Sequence, residues 1–191
     1  DALRVKIGCP AHWRDWSGLH VAEGNWYGNI LAARAFNQRW MLARLGQPVD
    51  ALEWPMLPQT VNAGYDPQRN EIVFPAAIVQ PPFFDVHADD ALNFGGIGAV
   101  IAHEMTHAFD DQGSRFNADG RFENWWSEAD RAHFEDCART LAAYIETFPL
   151  RDGERVDARL TLGENIADFG GLAIAYDALQ ETFADAADRD P

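Results

Sequence analysis

The sequence predicts an α+β fold that is mainly helical and contains a small sheet. Two observations predict the main helices, because apolar residues recur at helical spacing through residues 97–109 and again through residues 164–174. A third observation predicts the sheet, since two short β-prone runs, 60–65 and 71–74, flank a turn at 66–70. With 191 residues and 47% hydrophobic content, the chain can bury a core of ordinary domain size.

The N-terminal part of the chain predicts one helix. Residues 1–23 indicate loops and turns with one short strand, and residues 24–45 indicate a helix that Gly46 and Pro48 stop. Two prolines make residues 54–58 a fixed connector, because proline forbids a regular helix there. The predicted apolar face of the helix comprises Tyr27, Ile30, Leu31, Phe36, Trp40 and Leu45.

The predicted hairpin, from Thr60 to Phe74, offers an exposed strand edge. An extended peptide can lie along such an edge and add main-chain hydrogen bonds to the sheet. Peptide binding is therefore one interpretation of this segment. An ordinary structural hairpin is the other, and the pattern by itself fits both.

The first of the two main helices carries the pattern His103-Glu104-x-x-His107. Residues four apart lie on one face of a helix, so both imidazoles can bind one zinc ion. Glu104 is displaced from the ligand position and can take a proton from the water that zinc activates. We expect Asn93 to cap this helix and Gly113 to end it. The alternative is a helix with two surface or buried histidines.

Two more helices are predicted toward the C-terminus. Ser127 opens a capping box, which predicts a helix to about Phe148. The next helix carries Glu164 and Asp168, again four apart on one face. Catalytic zinc takes three protein ligands, which Glu164 would complete, and Asp168 can accept the free N–H of a ligating histidine. The alternative interpretation is a solvated acidic face. It is weakened by the apolar neighbours, which predict a mostly buried helix. These neighbours are Ile166, Ala167, Phe169, Leu172, Ala173 and Ile174.

These segments resemble the catalytic part of the neprilysin and endothelin-converting-enzyme family of zinc metallopeptidases. The resemblance runs in order through residues 61–84, 95–113 and 164–168. It implies a zincin-type, thermolysin-like catalytic domain with a small sheet beside an active-site helix. It also implies hydrolysis of peptide bonds on the amino side of hydrophobic residues, by an endopeptidase or oligopeptidase.

The resemblance assigns a role to each residue of the zinc site. One Zn²⁺ per chain is expected on His103, His107 and Glu164. Glu104 is expected to act as the general base, and Asp168 to orient His103.

The resemblance also assigns substrate contacts. Asn62 and Ala63 match the residues that hold the substrate backbone in the family. Gly64 departs from the family, which usually has an aromatic residue there, so we expect a looser edge that lacks one packing contact. Candidates for the pocket that receives the residue after the cut bond are Ile78, Phe83, Val100 and Ile101. Plain core packing is the alternative for all four, and we prefer it for Ile101.

Family members are much longer, so we expect residues 1–191 to be a single, truncated C-terminal catalytic-domain fragment. Within it, 1–58 is an N-terminal helical and loop segment and 59–191 the zincin core. The missing partner is an N-terminal helical domain of the same enzyme. The family also uses a histidine and an arginine after the third-ligand helix. No histidine follows His133 here and the arginine has no match, so we expect little activity. The alternative function is a catalytically incomplete zinc-binding fragment or a peptide-binding module.

Composition excludes some classes of partner. A net charge of −15 and a pI near 4.6 argue against nucleic acid as a partner. Peptides are the substrates that the family resemblance implies. No run of about 18 apolar residues predicts a membrane span. Cys9 and Cys137 are too few for a disulfide scaffold. Family resemblance favours an extracytoplasmic location, periplasmic or secreted.

Overall fold

The computed structural model describes residues 2–189, without the side chains of residue 152 and of residues 184–189. It confirms the predicted α+β class, with long helices and one three-stranded sheet. The strands are β1 (Arg4–Gly8), β2 (Gly64–Asp66) and β3 (Glu71–Pro75). The helices are α1 (Trp26–Ala43), α2 (Asp90–Asn93), α3 (Ala99–Thr106), α4 (Glu128–Ile145) and α5 (Leu162–Arg189). Residues 10–55 form one compact unit, and the remaining described residues form the other.

The sheet has the strand order β1-β3-β2, with β3 in the centre. β2 and β3 form the predicted antiparallel hairpin, in which Tyr65 lies opposite Ile72. β1 pairs with β3 in parallel, and Lys6 Nζ donates a hydrogen bond to the buried Glu71 Oε1 at 2.8 Å. This pairing joins residues 2–9 to the unit that begins at Met56.

The hydrophobic core lies between β3 and the segment that leads into α3. Ile72 and Phe74 of β3 pack with Ala63, Ile78 and Ile97, all of which are buried. Partly buried side chains surround this cluster: Leu3, Tyr65, Val79, Phe83 and Val100. The core thus holds the hairpin against the N-terminal end of α3.

The helical segment that contains α3 begins earlier than predicted. Asp89 caps α2, because its side chain accepts a hydrogen bond from the Ala91 N–H at 2.8 Å. A π-helical turn at Phe94–Gly98 then joins α2 to α3. The expected cap, Asn93, instead bonds its side chain to the backbone of Asp85. The prediction of Asn93 as the cap is therefore wrong.

The end of this segment also differs from the prediction. A 3₁₀ turn at His107–Phe109 follows α3, and Asp110 then has an extended backbone. Gly113, the expected end, belongs to a separate 3₁₀ turn at Gly113–Arg115. The α-helix thus ends at Thr106, and its 3₁₀ continuation ends at Phe109, four residues before Gly113.

The two C-terminal helices form where predicted. Ser127 caps α4 by accepting a hydrogen bond from the Asp130 N–H, and the helix ends at Ile145. The expectation of a mostly buried α5 is wrong, since Phe169 and Leu172 are 74% and 61% exposed. The buried face of α5 is instead narrow and built from small residues: Ala167, Gly171 and Ala175. In the described part of the chain, no helix has both the length and the hydropathy to cross a membrane.

The unit of residues 10–55 is built around α1. Asn25 caps this helix by accepting a hydrogen bond from the Gly28 N–H. The Arg14 guanidinium lies 4.0 Å from the ring centroid of Trp40 and 4.4 Å from that of Trp16. The predicted apolar face is only partly correct. Ile30, Phe36 and Trp40 are half-buried, but three of the predicted residues are exposed: Tyr27, Leu31 and Leu45.

Candidate metal centre

Three side chains from α3 and α5 converge on one point. His103 Nε2 and His107 Nε2 lie 2.9 Å apart. Glu164 Oε2 reaches across from the first turn of α5, 3.4 Å from His103 Nε2 and 3.7 Å from His107 Nε2. All three ligand atoms fall within 4.8 Å of one another. The structure therefore brings together a His₂Glu group that could hold a metal ion.

The hydrogen bonds of the two imidazoles indicate that a cation fits between them. His103 Nδ1 lies 2.7 Å from Asp168 Oδ1, and His107 Nδ1 lies 2.7 Å from Asp110 Oδ2. A neutral imidazole that donates from Nδ1 presents an unshared electron pair at Nε2. Two such pairs then face each other at 2.9 Å and repel, which a shared cation relieves. A tetrahedral zinc ion with bonds near 2.0–2.1 Å separates its ligand atoms by about 3.3 Å, close to the observed spacings.

Asp110 is a functional candidate that the sequence analysis missed. It is buried, 5% exposed, and its Oδ1 accepts hydrogen bonds from the Gln112 and Gly113 N–H groups at 2.7 and 2.6 Å. The signal was available, because His107 and Asp110 are three residues apart at the end of a helix. Asp110 therefore holds His107 as Asp168 holds His103, and both carboxylates fix the imidazole tautomer.

Electrostatics reinforce the pair of His107 and Asp110. The hydrogen bond to Asp110 raises the pKa of His107 above its ordinary value of 6.5, although burial opposes it. Burial by itself would raise the pKa of Asp110. Hydrogen bonds from His107 and from the backbone of Gly113 and Gln112 outweigh that effect and lower the pKa. The pair is thus strongest when the carboxylate carries its charge.

Glu104 lies beside the convergence point and is only 6% exposed. Burial raises the pKa of Glu104 above its ordinary value of 4.5. His107 and His103 oppose that rise, and the charge of Glu164 adds to it. A raised pKa makes the carboxylate a stronger base, as proton transfer near neutral pH requires.

Two cavities meet at the metal-ligand group. One, of about 430 Å³, is lined by His103, Glu104, His107 and Glu164 and by residues of the β2 edge. The other, of about 440 Å³, is also lined by Asn62 and Ala63. It contains three of the predicted pocket residues, Ile78, Phe83 and Val100. Both cavities include Asn62, Ala63, His103 and Glu104, so an elongated ligand could occupy both and cross the site.

The structure also describes Ile101, a candidate for the pocket, and Gly64, the position that departs from the family pattern. Ile101 lines neither cavity and is 36% exposed, so the preference for core packing at this position is wrong. A Cβ at Gly64 would lie 3.3 Å from the Met56 methyl group. Met56 thus fills part of the space that a side chain at position 64 would take. β2, which begins at Gly64, is an edge strand, with β3 as its neighbour on one side.

Comparison with known proteins adds independent findings. The sequence profile of peptidase family M13 matches residues 62–190. The chain is 43% identical to human neprilysin over 189 residues and 41% identical to neprilysin-3 of Drosophila melanogaster over 172 residues. These alignments cover 94% and 90% of this chain but 25% and 22% of the relatives. The chain therefore spans about a quarter of their length.

A solved structure is similar over the same extent. It is that of the zinc metalloprotease Zmp1 of Mycobacterium tuberculosis in complex with an inhibitor. The TM-score is 0.92 and the sequence identity 46%, over 96% of this chain and 29% of that one. The predicted zincin-type fold is thereby confirmed.

Proposed function

The chain belongs to peptidase family M13, and from this premise we propose that it forms the catalytic part of a zinc endopeptidase or oligopeptidase. Its substrates are peptides, which it cuts on the amino side of hydrophobic residues. One Zn²⁺ binds per chain, on His103, His107 and Glu164. We also propose an extracytoplasmic location, on family resemblance alone.

One observation supports this proposal most strongly. Two Nε2 atoms and a carboxylate oxygen converge, while both Nδ1 atoms are occupied by Asp168 and Asp110. A chance pair of histidines has no need of a carboxylate hydrogen-bonded to each Nδ1 atom. Glu104 lies in the same cavity as the convergent atoms, so a proton acceptor accompanies the metal ligands.

The residues of the site divide the work of hydrolysis. A bound zinc ion supplies Lewis acidity toward the scissile carbonyl and lowers the pKa of a water molecule toward neutrality. Glu104 accepts the proton of the attacking water on its carboxylate and then delivers it to the leaving amine. Asp168 and Asp110 keep each imidazole proton on Nδ1, so that both Nε2 atoms stay available.

The substrate lies along the β2 edge and across the site. β2 is an edge strand that an extended peptide can join by main-chain hydrogen bonds, and Asn62 and Ala63 hold the main chain of the peptide. The hydrophobic residue after the cut bond enters the cavity of about 440 Å³, where Ile78, Phe83 and Val100 contact it. These three also belong to the core or pack against it, so the pocket wall is firm.

The test is cleavage of a quenched fluorescent peptide with a central Phe or Leu, with zinc restored and with a chelator present. We expect zinc-dependent turnover at the amino side of the apolar residue. Zinc-independent turnover, or none with one zinc bound per chain, would contradict the proposal. The latter result would support the alternative of a catalytically incomplete zinc-binding fragment or peptide-binding module.

A further inference from the structure

We propose that Gly171 is a positioning residue that sets the separation of α3 and α5 at the zinc ligands. Its absent side chain lets α5 approach close enough for Glu164 to share a metal ion with His103 and His107. This inference rests on the proposed function, since it concerns the geometry of the same site.

The buried face of α5 faces the helix that carries the histidines. Gly171 is buried in the same face as Ala167 and follows it by one turn. Asp168 and Glu164 precede Gly171 by three and seven residues, which also places them on the side of α5 that faces α3. Movement of α5 at Gly171 therefore moves both functional carboxylates.

A methyl group at position 171 would meet backbone, which cannot move aside. Its Cβ would lie 2.7 Å from the His103 nitrogen, 2.9 Å from the Ala99 oxygen and 2.9 Å from the His103 Cα. The His103 N–H and the Ala99 carbonyl are four residues apart, as the donor and acceptor of one helical hydrogen bond are. Gly171 thus packs directly on the turn of α3 that presents the first zinc histidine.

The displacement can be read from these distances. An ordinary contact begins at 3.4 Å, so the helices would have to separate by roughly 0.7 Å from the 2.7 Å approach. Metal sites tolerate deviations of only about 0.2 Å in ligand distance. The 2.7 Å contact between Asp168 and His103 would lengthen, and so would the distance from the Glu164 carboxylate to the two histidines. The zinc site should therefore weaken more than the fold.

The neighbouring glycine provides a matched control. A Cβ at Gly170 would meet the Thr106 side chain, at 2.8 Å from Cγ2 and 2.9 Å from Oγ1. That side chain can rotate, although its hydroxyl bonds the Ala102 carbonyl. Both Gly→Ala substitutions change helix propensity equally, by about 1 kcal/mol in favour of Ala. The two variants differ in what the new methyl group meets, which is α3 backbone at position 171 and a side chain at position 170.

The experiment compares Gly171→Ala, Gly170→Ala and the unsubstituted protein without any peptide. The zinc Kd is measured by competition with a chromophoric chelator, and ligand geometry by the visible spectrum of the cobalt-substituted protein. For Gly171→Ala we expect a zinc Kd raised by about 10- to 100-fold and an altered cobalt spectrum. For Gly170→Ala we expect a change below about threefold and an unaltered spectrum.

Two results would overturn the inference: a folded Gly171→Ala protein with unchanged zinc Kd and cobalt spectrum, or equal losses in both variants. If Gly171→Ala does not fold, Ala167→Ser adds a single atom to the same face, one turn nearer Glu164. It should raise the zinc Kd, and an unchanged Kd would equally overturn the inference. A protein that binds zinc in this pattern but cleaves no peptide would contradict only the proposed function.

Discussion

The substitution Asp110→Asn separates tautomer control from folding. The amide oxygen of asparagine can still accept the backbone N–H groups of Gln112 and Gly113, which bond Asp110 Oδ1 at 2.7 and 2.6 Å. The amide nitrogen then faces His107 Nδ1, which lies 2.7 Å from Oδ2 in the native protein. Two donors cannot bond each other, so the imidazole must move its proton to Nε2. That proton occupies the position from which His107 binds zinc.

The expected loss is larger for zinc binding than for folding. Carboxylates that orient a ligating histidine contribute about 10- to 100-fold to metal affinity, or about 1.4–2.7 kcal/mol. The metal-free Asp110→Asn protein keeps both backbone hydrogen bonds and should stay folded. Asp110→Ala also leaves the Gln112 and Gly113 N–H groups without their acceptor, at about 1–3 kcal/mol each where they are buried. Only the alanine variant should lose several kcal/mol of metal-free stability.

The assay pairs a zinc competition titration with thermal unfolding of the metal-free protein. Asp111→Asn is the matched control, because Asp111 Oδ2 bonds only the side chain of Gln112 among the hydrogen bonds seen. We expect its zinc Kd to change by less than about threefold. An Asp110→Asn protein that binds zinc as tightly as the native one would refute the reasoning on tautomer control.

Four other predictions follow from the site. Glu104→Gln should lower kcat by about 10²–10⁴-fold while zinc binding persists, as peptide cleavage and a zinc titration would reveal. Val100→Phe should fill the cavity of about 440 Å³ and favour peptides with Ala over Phe after the cut bond, measured as a ratio of kcat/KM. Asn62→Ala should reduce kcat/KM by about 3- to 10-fold for the loss of one hydrogen bond, with unchanged zinc Kd. In the metal-free protein, the pair of His107 and Asp110 should stabilise the fold most between pH 3.8 and 6.5. This stabilisation is lost as pH rises through the raised pKa of His107, and it is also lost as pH falls through the lowered pKa of Asp110. The unfolding curves of the native and Asp110→Asn proteins should therefore converge outside this window.

Much of the fold was predictable because its signals are local. The hairpin from β2 to β3, the Ser127 cap of α4 and the helix of the two histidines each depend on residues close in sequence. A short strand was expected within residues 1–23, which β1 confirms, but its pairing with β3 was not predictable, since the two strands lie more than sixty residues apart and no local pattern specifies their register. The cap at Asp89 was missed because Asn93, four residues later, is an equally good capping residue type.

Burial was the least predictable property. An apolar composition on α5 suggested a buried helix, yet Phe169 and Leu172 face solvent while Ala167 and Gly171 are buried. An apolar residue type shows only that a side chain can be buried. Where two helices pack closely, small residues occupy the contact, and larger apolar side chains beside them can stay exposed. For the candidate site, the sequence indicated the two histidines and the two carboxylates of α5 that reach them, Glu164 and Asp168. It did not indicate Asp110, because Asp168 already supplied the one orienting carboxylate that was expected, whereas the structure contains two.

The proposed function depends most directly on zinc bound by two imidazoles and a carboxylate. Zinc K-edge absorption spectroscopy of the metal-loaded protein measures the ligand types and distances at once. We predict one zinc per chain, with nitrogen and oxygen ligands near 2.0–2.1 Å, two of them showing the multiple scattering of imidazole. The Glu164→Ala protein should lose one oxygen ligand from this set. Sulfur ligands near 2.3 Å, or a spectrum that the Glu164 change leaves unaltered, would contradict the account.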